Sequence, residues 1–205
     1  VSVRMTFDNL DEYGEWYKLP RVGWVWSPYA DDDWRPFMYG HWAWTADGWT
    51  WVSYEPFGWI VSHYGHWYCD DDYGWLWVPG YEWSPARVRW VVTGSEIAWA
   101  PLPPPGVEIP SLYDAYGYTY WVVVPPRHFT SEQIHEPRIV HRARRPAPPR
   151  VLRKSAPNVK MISRAAKQKI RRIKARKARE TVGERKLIKL HVPHPAPKRG
   201  GLCRR

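Results

Sequence analysis

The sequence lacks most of the features that mark an enzyme or a membrane protein. No run of about twenty apolar residues is present, so we expect no transmembrane segment. It contains no nucleophile elbow, no phosphate-binding glycine loop and no zinc-ligand spacing, and no pair of carboxylates stands out from the others. We therefore expect no catalytic site, no bound metal and no cofactor.

Cysteine is scarce as well. Cys69 and Cys203 lie far apart and fit no metal-binding or haem-attachment spacing. One disulfide, within the chain or between two chains, and a pair of free thiols are all compatible with the sequence. The chain starts at Val1 rather than Met and shows no apolar leader. We expect that a secretory signal has been removed, although a chain trimmed for another reason would look the same.

Each part of the chain is poor in charge of one sign. Residues 1–137 contain seven Lys or Arg against eighteen Asp or Glu, a net charge of −11, whereas residues 138–205 contain twenty-four against two, a net charge of +22. Such asymmetry is typical of a folded body with a basic interaction arm. We predict an acidic Trp-rich β-repeat domain over 1–137, a basic Pro-rich linker over 138–156, a basic amphipathic helix over 157–182 and a basic extension over 183–205.

Aliphatic residues are sparse in the acidic part, where tryptophan is abundant. All sixteen Trp lie between Trp16 and Trp121. Because each buried ring removes a large apolar area from water, these indoles can supply the core of a modest domain. Their ring N–H groups should then reach a backbone carbonyl or water at the edge of that core.

A repeat of about 25 residues organises this part of the chain. In each unit a Tyr-Gly-x-Trp segment is linked to a Gly-Trp-x-Trp segment, with paired aromatics two residues apart as on one face of a strand. Polar, Gly-containing turns join the two arms, so each unit predicts a β-hairpin. The fold class is mainly β, with repeated Trp-rich hairpins in a compact sheet or a barrel-like domain. The units are Tyr13–Trp16 with Gly23–Trp26, Tyr39–Trp42 with Gly48–Trp51, and Tyr64–Trp67 with Gly74–Trp77.

Two further segments, together with the repeats, carry a family resemblance. Trp83-Ser-Pro-Ala86 and Trp99-Ala-Pro-Leu-Pro103 follow the repeats. With them, residues 10–104 resemble bacterial secreted proteins that carry YXWGXW-type Trp/Tyr-Gly repeats, the DUF6600-like group. The resemblance implies export to the periplasm, the envelope or the cell surface, and it implies no particular activity.

The tryptophans have two interpretations. They form the core, or some of them present a flat aromatic surface to a glycan or to unpaired bases. The net charge of −11 on residues 1–137 argues against phosphates there but not against a neutral glycan. The indoles assigned to a possible glycan platform are Trp42, Trp49, Trp67 and Trp75.

The tail contains a narrow apolar stripe surrounded by cations. Val159, Ile162, Ala166, Ile170 and Ile173 recur at helical spacing, which predicts one helix of about twenty residues. This density of cations suits phosphate contacts without base recognition. The residues assigned to polyanion binding are Arg142, Arg144, Arg145, Arg150, Arg164, Lys167, Arg171, Arg172, Lys174, Arg176, Lys177 and Arg179.

These observations predict a secreted, non-enzymatic protein whose tail binds an anionic polymer. DNA, bound through its phosphates without sequence specificity, is the first choice, and the tail would also support assembly of copies into a coat or filament. One alternative is an envelope glycan-binding module. Another is a self-assembling subunit whose tail docks on the acidic body of a neighbouring copy. The acceptors would be Asp31, Asp32, Asp33, Asp70, Asp71 and Asp72.

Overall fold

A computed structural model describes residues 10–31, 33–112, 120–136, 151 and 153–180. Its described part is mainly β, as predicted, with few helices. The strands are β1 (Gly14–Leu19), β2 (Gly23–Pro28), β3 (Gly40–Thr45), β4 (Gly48–Ser53), β5 (His66–Asp70), β6 (Gly74–Val78), β7 (Val88–Val92), β8 (Ile97–Pro101) and β9 (Val122–Val124). The helices are α1 (Gly58–His63), α2 (Val159–Ala165) and α3 (Ala175–Glu180), with a 3₁₀ turn at Pro126–His128.

The three predicted hairpins form in matching register. In each, the Trp of Tyr-Gly-x-Trp lies opposite the second Trp of Gly-Trp-x-Trp on the antiparallel partner strand. The short polar turns between the arms fix this register, because strands joined by a tight turn cannot slip without exposing their apolar face. The pairs are Trp16 with Trp26, Trp42 with Trp51, and Trp67 with Trp77.

The glycine that recurs in the Tyr-Gly-x-Trp segments has a steric reason. A Cβ on Gly14 would lie 2.5 Å from the Trp26 ring, and one on Gly40 would lie 2.6 Å from the Trp51 ring. An indole of the partner strand, two residues along from the position that pairs with the glycine, therefore occupies the space that a side chain there would need. The absence of a side chain at this position leaves room for that buried indole.

The order of the hairpins in the sheets differs from their order along the chain. The four-stranded sheet has the order β1-β2-β6-β5, so the first and third hairpins join while β3 and β4 pair only with each other. The join lies at Trp26 and Trp77. A third sheet has the order β7-β8-β9. No closed barrel forms in the described part of the chain, and the sheets are open.

Indole rings fill the core between these sheets. Trp26, Trp51, Trp77 and Trp99 are fully buried. Ring contacts run from sheet to sheet, for example between Trp42 and Trp99 with centroids 5.5 Å apart in an edge-to-face geometry. Six ring N–H groups meet a backbone carbonyl, as expected for an indole that lacks water, whereas the buried ring N–H groups of Trp42 and Trp51 have no partner within the described residues. Such bonds run from Trp26 to Leu10 (3.1 Å), from Trp67 to Val61 (2.8 Å) and from Trp99 to Phe37 (2.9 Å).

The basic segment of residues 153–180, called the strap below, packs on this core. The single helix predicted over 157–182 is wrong: α2 ends at Ala165, Lys167 adopts a left-handed φ of 53°, and α3 begins only at Ala175. Separate anchoring explains the break. Ile170 packs against the main core whereas Ile173 packs in a separate cluster, and the extended chain lets the Ile173 N–H donate to the Trp44 carbonyl at 2.9 Å.

Candidate nucleic-acid interface

The N-terminal end of the strap is fastened by backbone hydrogen bonds. Arg153 forms an antiparallel bridge with Val92, with N–H to carbonyl distances of 3.0 and 3.2 Å. The buried indole N–H of Trp49 donates to the Pro157 carbonyl at 2.9 Å. Asn158 then caps α2 by accepting a hydrogen bond from the Lys160 N–H at 2.8 Å. These bonds fix where α2 begins.

Apolar side chains fasten the rest of the strap. Ile162 on α2 is fully buried in the main core. Ala178 on α3 is also fully buried, in a small cluster with Ala43 and Val52 of the middle hairpin. The segment 138–156 was predicted as a linker. Its last residues, from Arg153 onward, pair with the hairpin region through Val92.

The cations of the strap remain on its outer surface. Ten of them are exposed, and none forms an ion pair within the described part of the chain. The segment 153–178 contains no Asp or Glu to neutralise them. Six were predicted as polyanion-binding residues, and four more were outside that set. The six are Arg164, Lys167, Arg171, Arg172, Lys174 and Lys177, and the four are Arg153, Lys154, Lys160 and Lys169.

The other six predicted cations have side chains outside the described part of the chain. Arg142, Arg144, Arg145 and Arg150 lie outside the described residues, as does the extension over 183–205. The side chains of Arg176 and Arg179 on α3 also lie outside the described part. The described interface therefore consists of the strap alone.

The four indoles assigned to a glycan platform are core residues, so that assignment is wrong. Trp42, Trp49, Trp67 and Trp75 expose only 2, 4, 2 and 9% of their surface. Sheet-to-sheet and strap packing covers the faces that a sugar would need. Sequence spacing could not show this, because a stacking surface and a buried face have the same period of two.

The acidic turns have mainly local roles. The Asp70 carboxylate accepts hydrogen bonds from the N–H groups of Asp72 (2.9 Å) and Tyr73 (3.2 Å), which shapes the β5–β6 turn. Asp31 and Asp33 are exposed, as are Asp71 and Asp72. Asp32 lies outside the described residues. No ion pair joins an acidic turn to the described cations of the strap.

An open cavity of about 590 Å³ lies where the strap crosses the tip of the middle hairpin. It is called the groove below. Its aromatic lining comes from Trp44, Trp49 and Trp90, and its charged lining from Asp47, Arg153 and Lys160.

The groove indoles are held in fixed positions. Trp44 and Trp49 meet edge to face, with centroids 5.2 Å apart, and Trp90 packs on Trp42 at 4.7 Å. Trp49 is buried, whereas Trp44 and Trp90 are partly exposed. Sequence reasoning missed this site because Trp42 and Trp44 lie two residues apart on one strand. Only the tertiary structure buries Trp42, against Trp90, Trp99 and Phe129, and leaves Trp44 partly exposed.

Comparison with known proteins covers the hairpin region. Residues 7–106 match a family of unknown function, DUF6600. The match spans β1 to β8 and agrees with the range of 10–104 expected from the motifs; it reaches neither the strap nor β9. No curated protein and no solved structure matches the chain. The DUF6600 match therefore supports the family resemblance of the hairpin region and assigns that region no activity.

Among its described residues, the DUF6600-like region contains a buried carboxyl group, that of Glu55. Glu55 accepts hydrogen bonds from the Trp34 indole and from the Ser53 hydroxyl (2.8 Å). Burial raises the pKa of Glu55 to about 7, and these two hydrogen bonds partly oppose the rise. Its partners are core residues, so this group has a structural role.

Neither a metal-binding cluster nor a membrane-spanning helix is found among the described residues. No group of three His, Cys, Asp or Glu side chains that could hold a metal ion comes together there. The repeat histidine His41 instead contacts the Tyr54 hydroxyl through Nδ1 at 2.9 Å. None of the described helices is long and apolar enough to cross a membrane. Cys69 lies on β5, and Cys203 lies outside the described residues.

Proposed function

We propose that this protein binds an anionic polymer through the strap, with DNA as the first polymer to test and the phosphates as the groups contacted. One observation carries the proposal: ten exposed cations lie on an anchored segment and none is paired within the described chain. Contacts of this kind are independent of base sequence.

Electrostatics favours a polymeric anion. Like charges crowded on one segment repel one another, and a polyanion relieves this repulsion while its own condensed counterions are released. Ile162 and Ala178 already hold the strap on the core, so binding would not have to order that backbone. The acidic hairpin region should repel phosphates, which restricts binding to the strap side.

One feature supports export as the setting. The hairpin region resembles secreted repeat proteins in its Trp/Tyr-Gly motifs. We propose that the chain acts after export, as a binding or coat-forming protein rather than as an enzyme.

The exposed carboxylates favour a second role in assembly. Asp31, Asp33 and Asp72 are exposed on turns of the hairpin region, where the strap of another copy would find acceptors. Sedimentation of the full chain without any polymer tests this role. We expect association at low salt that reverses at high salt, and a chain that stays monomeric at low salt would contradict it.

The polymer proposal is tested by a salt titration of duplex DNA binding. The strap variant replaces Arg171, Arg172 and Lys174 with Gln in the full chain. Deleting the strap would be a poor test, because removal of Ile162 would open the core. The matched control makes the same loss of three charges on the body and replaces Lys18, Arg21 and Arg89, all of which are exposed.

The slope of log affinity against log salt is the decisive quantity. Each lost phosphate contact lowers it by about 0.9 for duplex DNA, so the strap variant should lose about 2 to 3 units of slope. The control should keep the slope of the unaltered chain. Equal losses in both variants would show only a net-charge effect, and no binding at low salt would reject the proposal.

A further inference from the structure

The groove adds a second kind of contact beside the strap. We propose that it stacks the bases of single-stranded nucleic acid, so that unpaired strands bind better than duplexes. This inference rests on the proposed nucleic-acid function and specifies the form of nucleic acid. It follows from the placement of partly exposed indoles against the same segment that carries the cations.

The groove has surfaces suited to a planar ring. Trp44 and Trp90 are partly exposed indoles in its lining, and Trp49 lines it as a buried ring. Packing on Trp49 and Trp42 holds the two exposed indoles at fixed angles. A base that enters would therefore not have to order a mobile side chain, which favours stacking.

The strap supplies the charges that a nucleic-acid backbone needs. Arg153 and Lys160 line the groove itself, and Lys154 and Arg164 are exposed cations near them along the strap. Aromatic faces within a cationic channel are typical of sites for single strands. A duplex keeps its bases paired and stacked, so it can reach the cations but not the indoles.

An acidic glycan is the main competing ligand for this site. It would meet the cations and also stack on indoles, and Asp47 in the lining would accept hydrogen bonds from its hydroxyl groups. The indoles favour nucleic acid over a polyuronate, because a planar base offers a full aromatic face for stacking and a sugar ring does not. The experiment therefore includes a polyuronate as a separate arm.

The first test needs no variant. The full chain is titrated with a deoxythymidine oligomer of about 16 nucleotides, with an abasic oligomer of equal length and with the matching duplex. We expect the thymidine oligomer to bind about tenfold more tightly than the abasic one, with quenching of Trp fluorescence. Equal affinities for these two strands would overturn the inference.

The second test localises the stacking. Trp44→Leu keeps an apolar side chain but removes the ring, and Trp44→Phe restores an aromatic face. Trp24→Leu is the matched control, because Trp24 is 56% exposed and lines no part of the groove. The backbone bond between Trp44 and Ile173 persists in every variant, and thermal unfolding checks that each one is folded.

The outcomes separate the two proposals. Trp44→Leu should lower affinity for the thymidine oligomer about tenfold, with recovery in Trp44→Phe and little change for duplex or abasic strands. Unchanged affinity in folded Trp44→Leu, or an equal loss of polyuronate binding, would overturn base stacking and leave the strap proposal standing. Failure of every nucleic acid to bind would reject both.

Discussion

Replacing Gly40 with Ala adds only one methyl group, but it should destabilise the protein strongly. The added Cβ would lie 2.4 Å from the Val52 carbonyl oxygen and 2.6 Å from the Trp51 ring. The carbonyl belongs to the strand ladder and cannot retreat without breaking it. Trp51 is fully buried against Phe37 and Trp99, so the ring has no space to move into.

The expected cost follows from overpacking. Forcing an extra methyl group into a close-packed core costs about 1 to 3 kcal/mol. We expect the upper end for Gly40→Ala, because both obstructing groups are fixed. A loss of about 3 kcal/mol should lower the Tm by about 6 to 12 °C in a chain of this length.

Gly94→Ala supplies the control for that measurement. Its added Cβ would meet nothing within 4 Å, so the substitution should be neutral or stabilise the fold by up to about 1 kcal/mol through the unfolded chain. Chemical denaturation followed by Trp fluorescence measures both variants. If Gly40→Ala were as stable as Gly94→Ala, the indole-over-glycine explanation of the repeat would be refuted.

Two further substitutions examine the buried carboxyl and the strap. The raised pKa of Glu55 means that the folded state binds a proton more tightly than the unfolded chain, so stability should be greatest below about pH 4.5 for this group and fall as pH rises towards about 7. Glu55→Gln should flatten that decline in denaturation measured across this range, and an unchanged pH profile would contradict the assignment. Ile162→Ala should cost about 2 to 5 kcal/mol, because a fully buried side chain is truncated. It should also speed amide exchange at Ile173, and a strap that exchanges as slowly as before would show that Ile162 is not an anchor.

The fold was predictable from the sequence wherever its contacts are local. The Trp42 and Trp51 pair, the turn at Thr45–Gly48 and the matching units before and after it follow from spacing over a few residues. The indole core followed from the lack of aliphatic residues. The candidate site was only half predictable: the cations were evident from composition, whereas the groove was not.

What the sequence determined by itself is therefore the hairpin, its register and the division of charge, because each depends on neighbours along the chain. The tertiary structure decided the rest. Three features depend on distant contacts. They are the pairing of β2 with β6, the break in the tail helix at Lys167, and the burial of Trp42 while Trp44 stays partly exposed. The bond from Trp49 to Pro157 spans 108 residues, and no local pattern encodes a pairing that only the packed core brings together.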